Sequence, residues 1–327
     1  MAEQASENDG DLWMDAMAAG DFERAWQVSD RVLHARKAAT PDDPRVPYHL
    51  RFVWDGSAID ASAVLVRCYH GLGDTLQFCR YLPALRRRAR RVTLEAQAEL
   101  IPLLSTMAGI DRIVAFDPAR PLPPDECTLE IMELAHALRT RPDPSPYLAV
   151  EADRRPGLRV GFCWRGGPTW RPERSLPDAL AAALPQGDGV EWVSLQRGAA
   201  LPGLADDCPA EILHTARRIA GLDLVVSVDT MIAHLAGALG VPLRLLLSDP
   251  PDWRWLAGGD GKDWSGGDGK DWSGRDGSGW SGGSVWYRDV RQYRQEQPGV
   301  WGPPLAALAA DLTATANKGT LRFGVSF

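Results

Sequence analysis

The chain has 327 residues, of which 45% are hydrophobic and 24% are charged, and its formal net charge is -7. This composition indicates a globular protein long enough for two domains, and the acidic balance disfavours nucleic acid as a partner. The five cysteines are scattered and lack CxxC spacing, which disfavours a disulfide framework and a zinc site and fits a reducing compartment. With no apolar leader and no apolar run as long as a membrane span, we expect a cytoplasmic protein.

Residues 11–36 predict two short helices that are separated at Gly20-Asp21. The spacing of small residues around this break resembles a single tetratricopeptide unit. One such unit cannot bury its own apolar face. We therefore expect residues 1–45 to form a helical cap that docks on the rest of the protein.

Strands and helices alternate in the next hundred residues, which is typical of a parallel sheet covered by helices. A buried strand at 63–68 runs into a tight glycine loop at 71–74 and a helix at 75–88. The pattern continues with a strand at 91–95, a helix at 98–107, and strands at 112–116 and 127–131. We expect a Rossmann-like domain over residues 46–150.

A proline-rich stretch at 141–146 precedes a second alternating series. Strands are predicted at 158–164, 190–195, 223–228 and 242–247, and helices at 176–184, 212–219 and 230–239. A second Rossmann-like domain over residues 151–316 follows, with a tail at 317–327. Two such domains are expected to face each other across a cleft lined by the carboxyl-edge loops of both sheets.

Residues 258–283 repeat an eight-residue unit, GGDGKDWS, with decay in the third copy. The unit resembles calcium-binding glycine and aspartate repeats, but its period is eight rather than nine and it lacks their buried aliphatic residue. A flexible surface loop is favoured, because this composition cannot offset the entropy of ordering. Stacking of its tryptophans on sugar rings stays open.

Asp74 follows the glycine pair of Gly71-Leu72-Gly73 at the carboxyl edge of the first sheet. Glycines there let a ligand approach the backbone, and a carboxylate facing the ligand can take a proton from an incoming hydroxyl. The alternative is that Asp74 only caps the following helix. Because Leu76 stands where a third glycine is needed, the segment is not a dinucleotide fingerprint.

The segment from Ser227 to Gly240 leads from an apolar strand through Asp229 and Thr230 directly into a helix. Free backbone N–H groups and the helix dipole make such a helix start an anion site. His234 lies one turn further along, on the same side as Thr230. Alternatively, Asp229 and Thr230 only cap the helix, and His234 is a hydrogen-bonded packing residue.

Arginines and tryptophans follow the strands of the second half. Arg165, Arg171 and Arg174 are suited to bidentate contacts with a diphosphate, whereas the alternative is a solvated loop. Trp253 and Trp255, next to Asp252, are suited to the face of a sugar or base, and core packing is the alternative.

Together these segments resemble the GT-B glycosyltransferases of the heptosyltransferase type (glycosyltransferase family 9), in the variety found behind tetratricopeptide repeats. The matching segments keep their order along most of the chain: residues 71–83, 160–166, 174–177, 194–198, 227–230, 234–240 and 251–255.

The resemblance implies an inverting, metal-independent transfer of a heptose-like or other sugar from a nucleotide-diphosphate donor to a glycan, lipid or protein hydroxyl, without a cofactor. Asp74 would be the base, and the second half would hold the donor. The implied substrate- and nucleotide-binding residues are Gly71, Gly73, Trp164, Arg165, Arg174, Ser175, Gln196, Asp229, Thr230, Met231, His234, Asp252 and Trp253. Peripheral membrane association and a protein partner on the helical cap are compatible with this interpretation.

Two other hypotheses are weighed against it. A non-catalytic nucleotide-sugar sensor or scaffold could keep the same fold and donor site. A dinucleotide-dependent oxidoreductase is disfavoured, because the third glycine and an acidic ribose-binding residue are both missing from the pattern.

Overall fold

The computed structural model describes residues 2–36, 54–167, 171–184, 190–256 and 283–315. The chain divides into two compact units, Met1–Pro142 and Asp143–Phe327. The eight-residue repeats, apart from Gly283, and the predicted tail at 317–327 lie outside the described residues. The predicted domain boundaries at 45 and 150 stay predictions.

Two helices form a hairpin at the start of the first unit, as predicted: α1 spans Ala2–Ala18 and α2 spans Phe22–Arg36. Asp30 on α2 contacts His136 Nε2 at 2.9 Å and also accepts a hydrogen bond from Arg139. Burial acts to raise the pKa of Asp30, but the hydrogen bonds from Arg139 and His136 outweigh it and lower that pKa. The hairpin therefore docks on its own unit through a charged contact.

The first unit contains a four-stranded parallel sheet in the order β3-β2-β1-β4. Val64 on the central strand β1 lies opposite Val92 on β2 and Cys127 on β4. The strands are β1 (Ala63–Arg67), β2 (Arg91–Ala96), β3 (Arg112–Ala115) and β4 (Cys127–Glu130), and the helices are α3 (Leu72–Phe78), α4 (Leu82–Arg88), α5 (Ile101–Leu104) and α6 (Leu134–Leu138).

The start of α3 corrects the predicted loop at 71–74. The helix begins at Leu72, and Gly71 is its N-cap residue. Asp74 is the third helical residue, and its carboxylate accepts the N–H of Gly71, which is the half of a capping box that a glycine N-cap allows. The predicted helix 75–88 is also divided, because a 3₁₀ turn at Cys79–Tyr81 separates α3 from α4.

The second unit contains a five-stranded parallel sheet in the order β6-β5-β7-β8-β9. Its strands are β5 (Leu158–Cys163), β6 (Val190–Ser194), β7 (Leu224–Val228), β8 (Leu243–Leu247) and β9 (Val290–Arg294), and its helices are α7 (Asp178–Ala181), α8 (Ile212–Ala220), α9 (Met231–Leu239) and α10 (Gly302–Thr315). Val160, Phe162 and Val226 from the sheet share one buried cluster with Leu305 and Leu308 of α10.

The predicted α/β class with two parallel sheets is confirmed. Strand β9 and helix α10 are additions that the alternation did not predict. The helices predicted at 98–107 and 176–184 are shorter in the structure, with α-helical cores at Ile101–Leu104 and Asp178–Ala181. Within the described part of the chain, none of the helices has both the length and the apolar character that crossing a membrane requires.

Candidate functional site

Four loops leave the carboxyl edge of the second sheet and carry most of the predicted site residues. They follow β5, β6, β7 and β8, and parallel strands bring such loops to the same edge. Contacts between these loops, described below, show that residues distant in the sequence are neighbours here.

The loop after β5 is held by Asp178, at the start of α7. Its carboxylate accepts the indole N–H of Trp164 at 2.9 Å and two N–H groups of Arg165, one of them at 2.8 Å. Hydrogen bonds from Arg165, and then from Trp164, lower the pKa of Asp178. The guanidinium of Arg165 is therefore engaged with a carboxylate of its own chain, whereas its backbone N–H donates to Gln196 at 2.9 Å.

Cys163 links the loops after β5, β6 and β7. Its Sγ lies 3.5 Å from Gln196 Oε1 and 3.8 Å from Thr230 Oγ1. Burial raises the pKa of this thiol to about 11. The sulfur is therefore protonated near neutral pH, so Cys163 serves as a hydrogen-bonded linker and not as a nucleophile.

The loop after β7 starts helix α9. Thr230 is the N-cap residue, and its Oγ1 accepts the N–H of Ile232 at 3.1 Å. Met231 is the first helical residue. The first-turn N–H groups of a helix point out of its end and favour an anion there, so this start can bind a phosphate in addition to its Thr230 cap.

His234 lies on α9 with its ring enclosed by aromatic side chains. Its Nδ1 is 2.8 Å from the hydroxyl of Tyr287, and its ring stacks on Trp255 with a centroid distance of 5.1 Å. Only 4% of the residue is exposed. This is the environment of the packing alternative, and it fixes the ring orientation of His234.

Arg174 and Asp229 meet at the same edge. Nη1 of Arg174 lies 3.6 Å from Oδ2 of Asp229. Arg174 also lies against the backbone of Gly166, because a Cβ built on that glycine would come within 3.2 Å of the guanidinium. The N–H of Gly166 donates to Ser175 Oγ at 3.1 Å. The structure thus brings these predicted residues together around one cation.

Asp252 and Arg254 form a second ion pair in the loop after β8. Asp252 Oδ1 accepts the backbone N–H of Arg254 at 3.0 Å and its Nη1 at 2.9 Å. Burial, and then the like charge of Asp252, raise the pKa of Asp229, although the Trp255 side chain, and then Arg174 and Arg254, act to lower it. Arg174, Asp229, Asp252 and Arg254 are called the four-charge cluster below.

Trp253 packs against two neighbouring side chains. The guanidinium of Arg254 lies 4.4 Å from its ring centroid, and Trp286 contacts it edge-on at 6.0 Å. With 7% of the residue exposed, the structure matches the alternative of core packing for this residue.

Asp74, Gly71 and Gly73 belong to the carboxyl edge of the first sheet. Asp74 Oδ2 accepts the Gly71 N–H at 2.9 Å, and the residue is half-buried. A hydrogen-bonded chain supports this loop, since Thr75 donates to Gln97 and Gln97 donates to the carbonyl of His70. Asp74 therefore caps its helix, as one of the two interpretations predicted.

Sequence reasoning left Asp178, Arg254 and Tyr287 out of the site residues. The sequence contains a signal for Asp178, because this acidic residue lies in the first turn of a predicted helix and closely follows Arg171 and Arg174. Arg254 alternates with two tryptophans, a pattern typical of cation–π packing. The contact of Tyr287 with His234 spans 53 residues, and no local pattern predicts it.

No protein-family model and no curated protein matches this sequence. Similar solved structures include the glycosyl transferase family 9 protein of Veillonella parvula, with 11% identity over 82% of this chain and 92% of the other, and a TM-score of 0.48. The ADP-heptose lipopolysaccharide heptosyltransferase II of E. coli is similar over 78% of this chain and 99% of its own, with 13% identity and a TM-score of 0.47.

The iron-containing dodecameric glycosyltransferase TibC of enterotoxigenic E. coli is also similar, with 15% identity, a TM-score of 0.42 and coverage of 58% of this chain. The present chain spans about three fifths (59%) of the length of TibC. At these identities and scores, the similarities concern the arrangement of the backbone. The function is therefore inferred from the residues of this chain.

Proposed function

We propose that the protein is a glycosyltransferase that binds a nucleotide-diphosphate sugar and transfers the sugar, with inversion and without a metal ion or cofactor, to a hydroxyl of a glycan, lipid or protein. The observation that carries this proposal is the contact of Arg174 with Asp229, the residue directly before the Thr230 cap of α9, at the carboxyl edge of the second sheet. A guanidinium beside a helix N-terminus is suited to the charge of a diphosphate.

In this proposal, the second unit holds the donor. The N–H groups at Met231 and the guanidinium of Arg174 stabilise the negative charge that develops on the departing nucleotide diphosphate. Trp164, Gly166, Ser175 and Gln196 support the position of these groups. Packing by His234, Asp252 and Trp253 supports the site. Arg165 supports it by holding its loop on Asp178.

The first unit supplies the base. Asp74 accepts the proton of the acceptor hydroxyl as that oxygen attacks the anomeric carbon, and Gly71 and Gly73 keep the backbone beside it free of side chains. The capping bond from Gly71 orients the carboxylate. The scattered cysteines are compatible with action in the cytoplasm, and the helical hairpin is proposed as the surface for a protein partner.

A thermal-shift panel tests the donor site first. ADP-, GDP- and UDP-sugars are compared. ADP-heptose is included because TibC has been solved with ADP-D-β-D-heptose and the similar E. coli protein is an ADP-heptose heptosyltransferase. A donor at a hundred times its Kd should add about 2.7 kcal/mol to the free energy of unfolding. If no member of the panel shifts the unfolding temperature, the proposal is wrong.

The variant Asp74→Asn tests the base. Its side-chain oxygen can still accept the Gly71 N–H, so the helix cap is retained while proton acceptance is lost. We expect turnover with a binding donor to fall by about 10²–10⁴-fold and the Kd for the donor to stay nearly the same. Equal losses in turnover and donor binding would instead indicate a purely structural carboxylate.

A non-catalytic nucleotide-sugar sensor is the second candidate, and the capping contact of Asp74 favours it. A carboxylate whose oxygen already bonds a backbone N–H has a role without catalysis. Donor binding with neither transfer to an acceptor array nor hydrolysis of the donor would support the sensor. Turnover that is lost in Asp74→Asn would rule it out.

A further inference from the structure

The four-charge cluster is largely removed from water. The exposed fractions of the side chains are 15% for Arg174, 11% for Asp229, 14% for Asp252 and 12% for Arg254. Three separate chain segments contribute these groups: the turn before α7, the loop after β7 and the loop after β8. Two acids and two bases at such burial influence one another much more strongly than charges on an exposed surface do.

The two ion pairs differ in how firmly they are held. Asp252 accepts two hydrogen bonds from Arg254, at 3.0 and 2.9 Å. Asp229 and Arg174 are 3.6 Å apart, which is too far for a hydrogen bond. The Arg174–Asp229 pair is therefore the looser of the two, and an incoming anion can replace Asp229 as the acid partner of Arg174 while Nε of Arg174 keeps its hydrogen bond to the carbonyl of Arg171 at 3.3 Å.

We propose that Asp229 exchanges Arg174 for a proton when a nucleotide diphosphate binds, an inference that rests on the proposed donor site. The diphosphate draws the guanidinium of Arg174 to itself and places negative charge beside the carboxylate. One proton then passes from solvent to Asp229, which becomes the neutral acid. Asp229 is thus a positioning residue: it holds Arg174 at the site before binding and releases it on binding.

The groups around Asp229 shift its pKa in opposite directions. Burial and Asp252 already raise its pKa, whereas the Trp255 side chain, and then Arg174 and Arg254, lower it, and the positive end of α9 also favours the carboxylate. When a diphosphate binds Arg174, the guanidinium lowers the pKa of Asp229 less than before. The negative charge of the diphosphate also raises that pKa. The pKa of Asp229 in the complex is therefore higher than in the free protein.

Linkage gives the sign of the pH dependence. Below the pKa in the free protein, Asp229 is already protonated, and above the pKa in the complex it stays ionised; in neither range does binding take up a proton. Between these two pKa values, binding takes up as much as about one proton, and donor affinity falls by up to about tenfold for each unit rise in pH.

Calorimetry of the full-length protein tests the exchange. ADP-glucose, GDP-mannose and UDP-glucose serve as probes, because their esterified diphosphates lack the ionisation near about pH 6 that a terminal phosphate has. Each titration is repeated in buffers of different ionisation enthalpy, and the slope of binding enthalpy against that enthalpy counts the protons. The titrations are run at several pH values across the range in which the protein is folded. With any probe that binds, we expect proton uptake over part of that range and lower affinity at higher pH.

Two variants assign the proton. Asp229→Asn mimics the neutral acid, so we expect no uptake and an affinity that no longer falls with pH. Glu191→Gln is the matched control, because Glu191 is a half-exposed carboxylate that pairs with Arg159 on the neighbouring strand. It should take up protons as the wild type does. Circular dichroism checks that both variants are folded. The wild-type titration measures proton uptake even if a variant fails to fold.

The outcomes separate this inference from the proposed function. Binding of a probe without proton uptake at any of the pH values overturns the exchange and leaves the donor site standing. Uptake of equal size in Asp229→Asn also overturns it, because another group then carries the proton. Failure of all three probes and of ADP-heptose to bind contradicts the donor site, and the exchange fails with it.

Discussion

At the scale of single residues, two arginines that look equivalent in the sequence have different roles in the structure. Arg165 and Arg174 both follow β5, and either could neutralise a diphosphate. Arg165 is held on Asp178 through two guanidinium N–H groups. Arg174 lies against Gly166 and Asp229 instead, which makes it the cation of the donor site.

A matched pair of variants measures this difference. Arg174→Gln should weaken binding of a nucleotide-diphosphate sugar by roughly ten- to a hundredfold, the equivalent of about 1.5–3 kcal/mol for a contact with a charged group. Arg165→Gln removes a partly exposed ion pair and should lower the free energy of unfolding by less than about 1 kcal/mol, with a smaller change in donor affinity. Calorimetric titration and denaturant unfolding give both numbers. The reverse order of affinities would contradict the assignment.

At the scale of elements, helix α9 depends on close packing as well as on its cap. Gly237 faces Tyr287, and a Cβ at this position would lie 2.4 Å from carbons of the tyrosine ring. Tyr287 has little room to move, because it is buried and its hydroxyl contacts His234. The glycine therefore permits the approach that places Tyr287 beside His234.

Gly237→Ala should lower the free energy of unfolding by about 1–3 kcal/mol, the usual loss on overpacking, and should weaken donor binding because α9 or Tyr287 must shift. Gly302→Ala is the control, since a Cβ at Gly302 meets nothing within 4 Å and alanine favours a helix. Denaturant unfolding compares the two variants. Equal free energies of unfolding for the two variants would show that Tyr287 can shift without destabilising the protein.

At the scale of the whole molecule, the chain forms two compact units, each with its own parallel sheet. The proposed donor groups belong to the second unit, and the proposed base belongs to the first. Binding of a donor alone should therefore affect the two units unequally.

Amide hydrogen exchange measures that inequality. A nucleotide-diphosphate sugar should slow exchange at residues 164–166 and 230–234, at the carboxyl edge of the second sheet, because bound phosphates at the start of α9 make these loops open less often. Exchange in the β1 and β2 strands of the first unit should stay the same. Protection concentrated at residues 71–75 would place the nucleotide in the first unit and contradict the proposed division of roles.

Local patterns predicted some elements and missed others. Buried apolar runs such as those around Val64, Phe162 and Val226 predicted their strands, because a strand covered on both faces is apolar along its whole length. Strand β9 escaped, since Arg291, Gln292 and Arg294 interrupt its apolar character. The start of α3 was misplaced by three residues, because Asp74 caps the helix from inside its first turn and not from the position before it.

Hydrophobic periodicity and capping act over a few residues, so local patterns were enough to predict the α/β class, the glycine and proline breaks, the Thr230 cap and the set of candidate polar residues. Which of those residues are partners depends on how the chain folds in three dimensions. Arg165 with Asp178, Arg174 with Asp229, and His234 with Tyr287 are joined by loops from different strands. Such pairs form where parallel strands bring separate loops to one edge, and no spacing along the chain encodes them.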